Sequence, residues 1–183
     1  MSDEVVALID KLIEEHRIIN QNLESLESVV NDAGAILSFD KARETYMPGR
    51  ASSREDMEKL DKLLDVIDEG LRGHFNREEQ GLHQAFDTLG TKDMSEAFHS
   101  LVLQHNDLRE RLSEHENMRN SLFDALKSSE EGRSSMTRQQ WEAKANDMRA
   151  YIIRSRKMVH EHTVSETRLF HSLKETLLSG AKE

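Results

Sequence analysis

The stretch WEAKANDMRAYIIRSRKMVHEHTVSETRLFHSLKETLL, residues 141–178, carries the clearest fold signal in the chain. Its apolar residues recur in steps of four and three, the spacing that places side chains on one face of an α-helix. The face comprises Trp141, Ala145, Met148, Ile152, Ser155, Val159, His162, Glu166, Leu169, Leu173 and Leu177. The spacing therefore predicts a long amphipathic helix whose inward face includes one His and one Glu.

Three further stretches show the same periodicity, at residues 5–30, from Ser52 or Ser53 to near Gly90, and from Asp93 or Ser95 to Leu126. The first helix is predicted to stop at residues 31–34. A short extra helical segment is predicted within residues 35–46, closed by residues 47–49.

The remaining connection, residues 128–135, is predicted to be a loop, and Thr137 with Gln140 resembles a capping box at the start of the fourth helix. Four long amphipathic helices with mostly short turns predict an all-α fold, an up-down-up-down four-helix bundle. The length of 183 residues favours a single domain covering residues 1–183.

Composition narrows the classes of function. The chain has no Cys, which excludes disulfides, thiolate zinc sites, thiol catalysis and iron–sulfur clusters. A formal net charge of −10 argues against nucleic acid or an anionic membrane surface as a partner. The first residues carry no signal-peptide pattern, and no apolar run approaches membrane-spanning length, so a cytoplasmic location is expected.

The chain also contains an internal repeat. His105 lies 89 residues after His16, and His162 lies 88 residues after His74. His74-x-x-x-Glu78 and His162-x-x-x-Glu166 are thus two copies of one motif, 88 residues apart. The repeat predicts that helices three and four correspond to helices one and two, related by a pseudo-twofold axis.

Helical phase separates the nine histidines into two groups. At about 100° per residue, four His and two Glu fall on the apolar faces and are predicted to project into the bundle at similar depth. These six candidates are His16, His74, Glu78, His105, His162 and Glu166. The other five histidines fall on flanks or outer faces and are predicted to be solvated or at the rim: His83, His99, His115, His160 and His171.

Two buried carboxylates among four histidines favour a metal site over a metal-free polar core. An unpaired buried carboxylate is very costly, whereas a multivalent cation turns carboxylates and neutral imidazoles into ligands. Imidazole and carboxylate suit iron, zinc or manganese, and six ligands exceed what one structural zinc uses. We expect two ions with two His each, bridged by Glu78 and Glu166. One oxo or hydroxo bridge would leave an open position for dioxygen, peroxide or nitric oxide.

The spacing differs from that of the ferritin-like di-iron proteins, which use Glu-x-x-His pairs. Glu96-x-x-His99 is the lone match to that pattern, and it is not doubled. Instead, LIEEHRIINQNLESL (12–26), LRGHFNREEQGL (71–82) and VLQHNDLRERL (102–112) resemble the helix signatures of the hemerythrin-like (HHE cation-binding) family. The resemblance covers roughly residues 8–178. It implies a non-haem di-iron centre in a four-helix bundle with the six candidates as ligands.

One departure from the family pattern bears on function. Oxygen-carrying hemerythrins have a fifth His four residues before the third-helix ligand, where this chain has Leu101. Reversible oxygen carriage is therefore not expected. Bacterial iron-centre repair proteins share the doubled motif but carry an additional Cys-bearing domain. A further ligand from Tyr46 or from an acidic residue in 35–50 remains an open alternative.

Three functions compete at this point. The first is a di-iron protein that binds dioxygen, nitric oxide or peroxide for sensing or stress protection. The second is an enzyme at the same site, with peroxidase, catalase-like or nitric-oxide-reducing activity, or an iron-centre repair protein. The third is a metal-free interaction bundle that uses its acidic faces or residues 35–52 to contact a protein partner.

Overall fold

The computed structural model describes residues 2–42, 51–130 and 138–180, which form four α-helices in chain order. These are α1 (Ser2–Ala42), α2 (Ala51–Leu89), α3 (Lys92–Glu130) and α4 (Arg138–Gly180). The described residues include no strand. The predicted all-α class with four long helices is confirmed.

The predicted end of the first helix is wrong. α1 continues through residues 31–34 to Ala42, so residues 35–42 belong to α1 and do not form a separate short segment. Asn, Asp and Gly in a helix interior cost at most about 1 kcal/mol each, which is too little to end a helix that extends on both sides. Residues 43–50, with Tyr46, lie outside the described residues. Residues 128–130 of the predicted loop belong to α3, which ends at Glu130; residues 131–137, with the proposed cap Thr137, are not described.

The four helices form a bundle in which α1 and α3 each pack against both α2 and α4. Two apolar clusters fill its interior, and the candidate residues lie at the level where the two clusters meet. The end cluster includes Ile9, Leu12, Leu82, Phe86, Phe98, Phe170 and Leu173. The central cluster includes Leu23, Leu26, Leu64, Leu71, Phe75, Leu108, Met148, Ile152 and Val159. The polar layer between them is thereby shielded from water on both sides.

A tight turn joins α2 to α3 at Gly90. Its amide donates to the carbonyl of Phe86 at 3.2 Å, and a Cβ at this position would lie 2.6 Å from the same oxygen. The Thr91 hydroxyl then accepts a hydrogen bond from the amide of Met94 at 3.3 Å, which caps the start of α3. Only a glycine fits this close approach, so α2 ends where the sequence predicts.

Over the three described ranges, none of the helices has a stretch that is long and apolar enough to cross a bilayer.

Candidate metal centre

The structure brings the six candidate residues together in the polar layer of the bundle. α1 and α3 each supply one His, and α2 and α4 each supply a His-x-x-x-Glu pair. The exposed fraction of every one of these residues is 4% or less, and it is 0% for both glutamates. All four imidazoles direct Nε2 towards the two carboxylates.

Glu78 lies between two pairs of histidines. Its Oε1 is 3.1 Å from His74 Nε2 and 3.4 Å from His16 Nε2. Its Oε2 is 3.4 Å from His105 Nε2 on the opposite side. The carboxylate therefore faces a nitrogen of each pair with a different oxygen, which is the arrangement of a bridging ligand.

Glu166 repeats this arrangement from α4. Its Oε1 is 2.8 Å from His162 Nε2 and 3.0 Å from His105 Nε2. Its Oε2 is 3.2 Å from His16 Nε2. The two carboxylates thus span the same gap, with His16 and His74 at one side and His105 and His162 at the other.

The outward nitrogen of His74 is held by a carboxylate. Its Nδ1 lies 2.9 Å from Glu15 Oε2, and Arg77 donates to the same oxygen from Nε at 3.1 Å and from an NH2 group at 2.9 Å. Because a carboxylate paired with Arg only accepts hydrogen bonds, His74 Nδ1 must carry the proton. Burial would raise the pKa of Glu15, but the hydrogen bonds from His74 and Arg77 lower it, which keeps the acceptor ionised.

His105 has an equivalent outer partner. Its Nδ1 lies 2.8 Å from Glu79 Oε1, to which Arg109 also donates at 2.8 Å. Burial would raise the pKa of Glu79, but the hydrogen bonds from Arg109 and His105 lower it. The ring of Phe75 stacks on the imidazole of His105 with centroids 4.2 Å apart, which restricts the rotation of the imidazole.

The remaining two imidazoles have neutral outer partners. His16 Nδ1 lies 2.8 Å from the Thr167 hydroxyl, and His162 Nδ1 lies 3.1 Å from Gln104 Oε1. Each His pair therefore combines one histidine held by a carboxylate with one held by a neutral oxygen.

Sequence reasoning missed these four outer partners, although the repeat contains them. Glu15 precedes His16 by one residue and Gln104 precedes His105, while Glu79 follows Glu78 and Thr167 follows Glu166. Extending the 88- and 89-residue comparison to immediate neighbours would have found them.

These outer contacts decide what the interior atoms require. An imidazole that donates from Nδ1 has, when neutral, only a lone pair at Nε2, and that lone pair here faces another acceptor. In the described part of the chain, six buried atoms of the centre lack a hydrogen-bond partner: Nε2 of His16, His74 and His162, both oxygens of Glu78, and Oε2 of Glu166. Acceptors that converge on a buried gap fit a multivalent cation.

In the absence of a cation, protons take over part of this role. Burial would lower the pKa of His16, but hydrogen bonds and charge from Glu166 and Glu78 raise it to about 9. Burial likewise opposes the raised pKa of His105, which the same two carboxylates cause. Burial would raise the pKa of Glu166, whereas hydrogen bonds from His105, His16 and His162 hold it well below its usual range. The two buried carboxylates therefore favour positive charge beside them, either protonated histidines or a bound cation.

Five histidines were predicted to lie outside the centre, and the four whose side chains the structure describes lie outside it. His83, His160 and His171 are exposed and His99 is half-buried, while the side chain of His115 is not described. His83 and His99 nevertheless lie side by side, with Nε2 atoms 3.1 Å apart, which the separate helical phases did not predict.

Comparison of the chain with protein-family models, with curated proteins and with solved structures finds no match. The inference about function is therefore built on the centre itself.

Proposed function

We propose that this protein is a hemerythrin-like, non-haem di-iron protein that binds dioxygen, nitric oxide or peroxide for sensing or stress protection. One observation carries the proposal: two fully buried carboxylates each face both His pairs, while the outward nitrogens of the imidazoles already have partners. Iron held there by the six residues would supply the chemistry that binds a small ligand.

The ligand assignment is supported by distances. An imidazole nitrogen and a carboxylate oxygen bound about 2.1 Å from one ion at a right angle lie about 3.0 Å apart. The six Nε2–oxygen separations between 2.8 and 3.4 Å match this spacing. His16 and His74 would hold one ion and His105 and His162 the other, with Glu78 and Glu166 bridging them.

The up-down-up-down topology of the hemerythrin-like class is supported by contacts between neighbouring helices. Leu8 of α1 approaches Gly81 of α2, and His16 approaches His74, so numbers rise along one helix as they fall along the other. Asp87 contacts Ser95 and Asn76 contacts Arg109 between α2 and α3. Asp10 pairs with Lys174 and Glu27 with Arg156 between α1 and α4. Each pattern is that of antiparallel neighbours.

An open groove on the surface between α3 and α4 lies beside the centre, next to Ser165, the residue before Glu166. It has a volume of about 450 Å³ and is lined by Ala97, Ser100, Leu101, Ser165, Arg168, Leu169 and Ser172. Leu101 is 8% exposed and lies one turn before His105, at the position of the additional His in oxygen-carrying hemerythrins. An apolar residue there closes no coordination position, which favours ligand binding over a saturated centre.

The first test is metal content and an optical spectrum. Protein expressed with ample iron should contain about two irons per chain and show a near-ultraviolet charge-transfer band that changes on adding nitric oxide or peroxide. Glu78→Ala should lose at least half of this iron because it removes one of the two bridges. Glu110→Ala, an exposed acid further along α3, is the matched control and should keep all of it.

Background iron in the wild-type protein, or equal iron in both variants, would overturn the proposal. Helical content by circular dichroism must be the same in both variants, so that loss of iron is not loss of fold. If peroxide or nitric oxide is consumed steadily by the wild type and not by Glu78→Ala, the protein is an enzyme at this centre and not a binding protein.

A further inference from the structure

A second cluster of potential metal ligands lies at the end of α2 and the start of α3, away from the buried centre. It consists of His83, Asp87 and His99, here called the α2–α3 histidine cluster. The two Nε2 atoms of the histidines are 3.1 Å apart. Asp87 lies 3.2 Å from His83 Nδ1 through Oδ2 and 3.6 Å from His99 Nε2 through Oδ1.

The cluster is fixed in place by its surroundings. The Ser95 hydroxyl donates to Asp87 Oδ1 at 2.5 Å, which fixes the orientation of the carboxylate. The fully buried ring of Phe98 packs edge-on against His83 and stacks on Phe86 with centroids 4.4 Å apart. The tight turn at Gly90 holds the two helix ends together, so the three side chains lie beside one another, with one potential ligand atom of each within 4.8 Å of the others.

We propose that the α2–α3 histidine cluster binds a divalent transition-metal ion such as Zn²⁺, through Nε2 of His83 and His99 and a carboxylate oxygen of Asp87. Two imidazole nitrogens at about 2.05 Å from a tetrahedral ion lie about 3.3 Å apart, close to the observed separation. Two imidazoles with one carboxylate suit Zn²⁺, Cu²⁺ or Ni²⁺ rather than Mg²⁺ or Ca²⁺. The side chains are 38–50% exposed, so water completes the coordination.

The internal repeat provides a natural comparison at the other side of the bundle. His171 corresponds to His83 and Glu175 to Asp87, but the position of His99 is taken by Asp10. This position therefore has a carboxylate, already paired with Lys174, in place of a second imidazole. The corresponding place between α4 and α1 therefore has one histidine, His171, and does not form a two-histidine cluster.

Calorimetric titration with Zn²⁺ tests this proposal on the iron-loaded full-length chain. The wild type should take up one Zn²⁺ beyond its iron, and His83→Ala and His99→Ala should each bind it at least about tenfold more weakly, since even loss of an outer-sphere partner has that effect. His171→Ala, the matched control from the repeat, should bind like the wild type. All three side chains are partly or largely exposed, so the variants should keep the wild-type thermal midpoint.

No additional Zn²⁺ in the wild type, or the same uptake in all four proteins, would overturn the proposal. The outcome is independent of the buried centre. If the wild type contains no iron but its Zn²⁺ uptake still depends on His83 and His99, the di-iron function is rejected and the second site is kept.

Discussion

At the scale of single residues, the centre depends on side chains one position away from the predicted ligands. Glu15 and Glu79 hold the outward nitrogens of His74 and His105, and Arg77 or Arg109 holds each acid in turn. Such partners fix the imidazole tautomer and orientation, and they increase its basicity as a ligand. His74 and His105 each therefore begin a chain of three side chains that runs from the gap to the surface.

Adjacent glutamates on α1 allow this role to be tested. Glu15→Ala should weaken iron or zinc binding at the buried centre by about 10- to 100-fold, because His74 loses its Nδ1 acceptor. Glu14→Ala should leave binding unchanged, since Glu14 is exposed and pairs only locally with Arg17. Competition with a chelator measures both affinities. An equal loss in the two variants would mean that Glu15 acts only through the net charge of the surface.

At the scale of elements, the glycine at the end of α2 and a glycine within α2 differ in whether a side chain would fit there. Gly90 lies where a Cβ would be 2.6 Å from the backbone oxygen of Phe86, which cannot move without distorting the turn. Gly70 is exposed in the middle of α2, and a Cβ there would have no atom within 4 Å. One position requires a glycine and the other only tolerates it.

Substitution by Ala separates the two cases. Gly90→Ala should lower the free energy of unfolding by roughly 1–3 kcal/mol, the usual range for a strained single substitution. Gly70→Ala should raise it by about 0.5–1 kcal/mol, because Ala is the better helix former and meets no clash. Chemical denaturation monitored by circular dichroism gives both values. A stabilised Gly90→Ala protein would show that the α2–α3 turn relaxes freely, and the α2–α3 histidine cluster would then lose its rigid support.

The end of α1 shows that a local sequence signal does not always determine where a helix ends. Residues 31–34 look like a stop signal, yet α1 passes through them. Propensity differences of about 1 kcal/mol per residue are weak against the cooperativity of an established helix. At the α2–α3 turn, in contrast, the steric requirement for Gly90 coincides with the composition signal, and the predicted boundary holds.

At the scale of the whole molecule, the polar layer links protonation, and with it the proposed metal binding, to folding. In the metal-free protein, the pKa of His16 is about 9 instead of 6.5, so protonation of His16 stabilises the fold. A pKa that is raised on folding contributes stability that is complete below pH 6.5 and is lost as the pH rises through about 9, on the order of 3 kcal/mol here. The lowered pKa of Glu166 acts at the other end, and its contribution is lost as the pH falls below the usual carboxyl range.

Metal reverses the pH dependence above neutrality, because ligand histidines must be neutral to bind it. The thermal midpoint of the metal-free protein should fall from pH 6.5 to pH 9, and the difference between loaded and metal-free protein should grow over the same interval. Thermal unfolding with and without a chelator at both pH values measures this difference, and the comparison at one pH cancels the effect of net charge. A difference that stays constant with pH would contradict the coupling of His16 to the metal.

Helical periodicity was sufficient to predict the all-α class, the four long helices and the convergence of His16, His74, Glu78, His105, His162 and Glu166. These features follow from sequence because a long helix repeats its face regularly, so a polar residue on an apolar face must point inward. The identity of the ions, the single-domain organisation and the physiological ligand stay predictions.

The outer partners and the α2–α3 histidine cluster depend on tertiary structure. Glu15 and Glu79 lie beside the apolar faces, and whether a side chain there reaches an imidazole depends on helix rotation and rotamers, which periodicity does not specify. His83 and His99 were each predicted to be solvated, and each is partly exposed, but the tight turn places them 3.1 Å apart. The sequence by itself determined which side chains face the interior, because that depends on one helix at a time. Only the packing of helices against one another decided which flanking side chains meet, because such distances depend on two helices and the turn between them.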